Sequence, residues 1–79
     1  MTTADKIRPI VQDIYGRHYN DKLLEHVILR VADRIDAYPS EEDARYSYSR
    51  QDVVREVIWL NFSGGSTAEW AAERIEKVL

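Results

Sequence analysis

The stretch Ser63-Gly64-Gly65-Ser66-Thr67-Ala68-Glu69 constrains the fold more than any other part of this chain. It reads as the end of one helix and the start of the next. Gly64 or Gly65 can take the left-handed conformation that closes a helix without a steric penalty. Ser66 stands three residues before Glu69, the offset of a capping box in which hydroxyl and carboxylate each satisfy a free backbone N–H. Ser49 and Asp52 repeat that offset, and Gly16 followed by Asn20-Asp21 is a further stop and start. Punctuation of this kind belongs to helices.

The apolar spacing between these signals agrees. Ile7, Ile10, Val11, Ile14 and Tyr15 recur at the interval of one helical face, predicting a helix over Lys6 to Tyr15, with Pro9 near its start. Leu24, Val27, Ile28, Val31 and Ile35 form the clearest stripe and predict a helix over Asp21 to Ala37. Tyr38-Pro39 ends it, because the residue before proline is pushed out of the helical region. Ser40 to Ser49 reads as a polar connection with room for one helical turn at Glu41 to Arg45.

Gln51 to Phe62 is ambiguous. Val53, Val54, Val57 and Ile58 suit a strand. Strict alternation fails, however, and on a helical wheel Val53, Val54, Val57, Ile58, Leu60 and Phe62 fill one wide arc. With Ser49 as a cap, helix is the favoured reading. A last helix, Thr67 to Val78, presents Ala68, Ala71, Ile75 and Val78. Helices this short are unstable alone in water and must pack their stripes together. The expected fold is all-α, a small bundle of three to four amphipathic helices in a single domain spanning 1–79.

Composition narrows the chemistry. A chain of 79 residues buries only roughly 60% of its unfolded surface, so its core is thin. Cysteine is absent, which excludes disulfides, thiolate metal sites and thiol nucleophiles. The net charge of -3 disfavours nucleic acid and anionic membrane as partners. Asp5, Lys6 and Arg8 interrupt any apolar leader, and no apolar run approaches the ~20 residues that cross a bilayer. A cytoplasmic location is the expectation.

No motif in the chain carries catalysis. His18 and His26 lie eight apart, not the four that place two imidazoles on one helix face at a metal site. Glu41-Glu42-Asp43 lacks calcium-loop spacing and reads as acidic residues at the positive end of a helical turn. Gly64-Gly65 has no lysine nearby and is a turn, not a phosphate loop. No enzyme activity, cofactor or metal is therefore expected. The segment Arg45-Tyr46-Ser47-Tyr48-Ser49-Arg50, with Arg55 beyond, interleaves aromatic and basic residues as a nucleic-acid-binding regulator would. The acidic run beside it opposes that reading.

Trp59 and Trp70 fall outside their helices' apolar arcs, Trp59 beside Arg55 and Trp70 beside Arg74 and Lys77. Tryptophan and arginine dominate interface hot spots. These four residues, Trp59, Trp70, Arg55 and Arg74, are the candidate partner-binding set. The competing reading has each indole cover the edge of a small core with its N–H in water.

Residues 7–54 also resemble the N-terminal helical extension of sucrose-phosphorylase-like enzymes, in particular the glucosylglycerate phosphorylase branch. The resembling elements are a first helix ending in Asp13-Ile14-Tyr15-Gly16, a leucine-rich helix from Leu23 to Ile35, and Ser49-Arg50-Gln51-Asp52-Val53-Val54 after a polar gap. The resemblance implies an accessory helical piece of a carbohydrate-active enzyme. The family's following Tyr-Ala-Asp-like substrate motif is replaced by Arg55-Glu56-Val57-Ile58-Trp59-Leu60-Asn61, so no catalytic residue carries over. The first functional expectation is a non-catalytic helical interaction module that binds a protein partner or itself.

Overall fold

Five helices follow one another in the computed structural model, which describes residues 1–62 and 65–79. They are α1 (Thr3–Tyr15), α2 (Asp21–Asp36), α3 (Glu41–Tyr46), α4 (Arg50–Asn61) and α5 (Gly65–Val78). The all-α class is as the sequence predicts, with one helix more than the three to four expected. The extra element is α3. Its first turn is fixed by a full capping box: the Asp43 amide donates to the Ser40 hydroxyl at 3.2 Å, and the Ser40 amide donates to the Asp43 carboxylate at 2.9 Å. Ser47, in the left-handed conformation, closes it.

Local chemistry sets the other starts. Thr2 and Asp5 form a capping box that opens α1 at Thr3, three residues earlier than the apolar stripe suggests. Pro9 therefore lies inside the helix rather than near its first turn. Gly16 ends α1 in the right-handed region, and an added Cβ there would meet the Gln12 carbonyl oxygen at 2.3 Å. The Asn20 side chain accepts from the Leu23 amide at 2.8 Å to open α2, and Ser49 accepts from the Asp52 amide at 3.1 Å to open α4. Residues 51–61 are thus helical, and Asp52-Val53-Val54 lie in the first two turns of α4. At the last start the expectation needs correction. Helix α5 begins at Gly65, so Ser66 is already within its first turn and does not cap it. The Ser63-Gly64 part of that signal lies outside the described residues.

The four longer helices close a ring in which α1 packs on α2 and α5, and α4 packs on the same two. Ile7 and Val11 meet Leu24, Val27, Ile28 and Val31 inside it, joined by Val54, Ile58 and Ile75. Ala68, Ala71 and Ala72 keep the inward face of α5 small, so its backbone can approach its neighbours closely. Ion pairs tie the rim: Arg8 to Glu25 between α1 and α2, Arg50 to Glu76 between α4 and α5, and Arg74 to Asp13 between α5 and α1. The first two are part-buried and the third is exposed, so the third contributes least to stability. Helix α3 stands outside the ring. It is held by Asp43, buried against Arg34 of α2.

At one end Tyr15, Tyr19 and Phe62 form an aromatic plug, with Phe62 4.2 Å from the Tyr15 ring and 4.5 Å from that of Tyr19, centroid to centroid. The Tyr15 hydroxyl is buried and has no hydrogen-bond partner among the described residues. Burial, with a smaller contribution from Tyr19, pushes its pKa up to about 12. An unpaired buried hydroxyl is a net cost to folding. Tyr15→Phe keeps the stacked ring and removes that cost. Urea titration should find the variant more stable by about 1 kcal/mol. A clear loss of stability would show that the hydroxyl is satisfied after all.

Candidate functional site

The apolar arc of α4 is narrower than its sequence suggests. Val53, Val54, Ile58 and Phe62 are buried and Val57 is half-buried, whereas Leu60 is 70% exposed. The neighbours α2 and α5 cover only the side of α4 centred on Val54 and Ile58, and Leu60 lies past the edge they protect. Its side chain faces water beside Trp59, itself 59% exposed. The wheel alone places Leu60 in the core; the packing puts it on the surface.

Trp59 and Leu60 form the apolar part of a groove of about 450 Å³. Arg55 and Glu56 of α4 and Gly65 and Glu69 of α5 complete it. Trp59 reaches across toward the first residue of α5, its indole nitrogen 3.9 Å from where a Gly65 Cβ would stand. That separation is ordinary van der Waals contact, so a small side chain at position 65 would fit. Arg55 lies 3.7 Å from Asp52, a loose contact between exposed groups. Glu56 and Glu69 make no ion pair among the described residues.

On the other side of Leu60 lies a second hollow, of about 280 Å³, lined by Arg34, Glu42, Asp43, Tyr48, Val53, Glu56, Val57 and Leu60. Leu60 and Glu56 belong to both hollows and form the ridge between them. Arg34 is held by Asp43, with Glu56 and Glu42 adding to the field that favours its charge. Asp43 is in turn held at about 2, well below its ordinary 3.8, first by the Arg34 guanidinium and then by the Ser40 backbone. Nothing in Glu41-Glu42-Asp43 as a string distinguishes Asp43 from its neighbours. The Ser40/Asp43 offset was the signal that would have singled it out.

The structure does not bring the four predicted binding residues to one place. Trp59 and Arg55 share the groove. Trp70, 52% exposed, stands on another flank of α5, where the Arg74 guanidinium lies 5.3 Å from its ring centroid. Arg74 also reaches Asp13 of α1 at 2.8 Å, so this pair faces the α1 side of the bundle while Glu69 and Glu76 face α4. Lys77 pairs loosely with Glu73 rather than with Trp70. In the aromatic-basic segment, Tyr46 and Tyr48 stack on each other at 5.6 Å and Arg50 is committed to Glu76 at 2.6 Å.

His18 and His26 are exposed and on separate elements. Among the described residues there is no group of three or more His, Cys, Asp or Glu placed to hold a metal ion, and no helix long and apolar enough to cross a membrane. Comparison with protein families, curated proteins and solved structures found no match for the chain.

Proposed function

We propose that this chain is a non-catalytic helical module whose Trp59–Leu60 groove docks a protein partner. The observation that carries the reading is the pair itself. Two large apolar side chains, adjacent in sequence, are more than half exposed on the same groove, with an arginine beside them. Exposed apolar groups set among polar ones mark interaction surfaces, and tryptophan is the residue whose removal most often abolishes binding. Trp70 with Arg74 is a smaller exposed aromatic on a different flank and is not needed for this docking.

The test is a site-specific photo-crosslinker at position 59, compared with one at His26 on the outer surface of α2. Defined adducts, with another protein or a second copy, are expected from position 59 and not from position 26. They should disappear when Leu60 is also changed to serine, while the circular dichroism spectrum stays that of the folded helical domain. Equal labelling from both positions would remove the groove from consideration.

A further inference from the structure

The charge around the Leu60 ridge identifies the chemistry of the partner. Across the two hollows, two guanidiniums, Arg34 and Arg55, are set among four carboxylates: Glu42, Asp43, Glu56 and Glu69. Arg34 is taken up by Asp43, and Arg55 leans toward a further carboxylate, Asp52. Glu42, Glu56 and Glu69 are left without an ion pair of their own among the described residues, on both sides of an apolar ridge. We infer that this surface docks a basic amphipathic helix from another protein, with an apolar side chain seated against Trp59 and Leu60 and lysine or arginine residues reaching Glu56, Glu69 and Glu42. The inference rests on the docking role proposed for the groove and adds the class of partner.

Two arguments favour such a helix over a second copy of the chain. A two-fold interface brings each patch against its own image. Here the patch carries unpaired carboxylates, on a chain whose net charge is already -3, so the copies would repel where they must touch. A helix, moreover, presents side chains three and four residues apart on one face. That spacing lets one apolar anchor enter the groove while cations on either side meet both hollows.

The experiment is selection of a displayed library of helical peptides against the folded domain, followed by affinity measurement on the selected peptides. Bulky apolar residues flanked at three or four positions by lysine or arginine should be enriched. Their affinity should fall as salt rises and drop roughly tenfold or more in the double variant Glu56→Lys, Glu69→Lys, whose fold is checked by circular dichroism. Peptides of neutral or acidic character that bind equally well to the charge-reversed domain, yet are lost in Trp59→Ala, would overturn the basic partner and leave the docking groove standing. Peptides indifferent to both changes would overturn the groove as well. A dimer, detected by mass across concentration and abolished by Trp59→Ala, would make a second copy the occupant and overturn the inference.

Discussion

Ile28→Ala is expected to remove much of the domain's stability. Ile28 is fully buried on α2, the helix that packs on both α1 and α4. Truncating a buried isoleucine costs about 2–5 kcal/mol, from lost transfer energy and from the cavity that remains. A domain of this length has roughly 4–12 kcal/mol in all, on the usual per-residue scale. The thermal midpoint should fall by about 10 °C or more, with an unchanged urea m-value if the native fold is retained. Leu29, the next residue, is the internal comparison. It is 49% exposed, and its alanine variant should stay within about 1 kcal/mol of the parent. Comparable losses at the two positions would contradict the orientation of α2.

The second large effect concerns α3. Arg34→Ala leaves the Asp43 carboxylate buried with only its Ser40 bonds, and an uncompensated buried charge is strongly unfavourable. Because α3 lies outside the ring of four helices, it can swing into water without unfolding the rest. Amide hydrogen exchange in α3 should accelerate by on the order of 100-fold, while the core amides of α2 change little. Acid should act on the same contact in the parent protein. Asp43 is held at about 2 in the folded state against an ordinary 3.8, so its contribution is fully present above the ordinary value. That contribution is lost as pH falls through the interval between them. In Arg34→Ala the loss should move to higher pH, since the main cause of the lowered pKa is gone. Unchanged α3 protection in the variant at neutral pH would show that Arg34 does not hold the helix.

Trp59 presents a different balance from either of these. More than half of its surface is already in water, so truncation forfeits little burial. Its loss should register in association rather than in the thermal midpoint. Both indoles are more than half exposed, although at Trp70 an arginine lies over the ring.

Helix positions were written locally, and that is why they were legible. A cap is a contact between residues three apart, so Asn20 before Leu23 and Ser49 before Asp52 announce their helices in any string. The stripes of α1 and α2 are likewise local, and the residues they nominate, from Ile7 to Ile35, are buried except for the half-buried Ile14. The same locality explains the errors. Thr2 and Asp5 form a box outside the apolar stripe and extend α1 toward the N-terminus, and the Ser66/Glu69 offset falls in the first turn of a helix that had already begun at Gly65.

How wide an apolar arc will be covered is no local property. It depends on which helices lie alongside, and only the ring of α1, α2, α4 and α5 determines that Ile58 is sealed while Leu60, two residues on, is left in water. Tertiary structure alone also separates Trp59 from Trp70, by turning them to different flanks of α5, and picks Asp43 out of three adjacent carboxylates to be buried under Arg34. The sequence by itself determined that this chain is helical, where most helices begin and most of the residues that enter the core, although Leu60 and Val78, assigned to apolar stripes, are exposed. The candidate docking groove arises where packing stops, at the edge of α4 that its neighbours α2 and α5 leave uncovered.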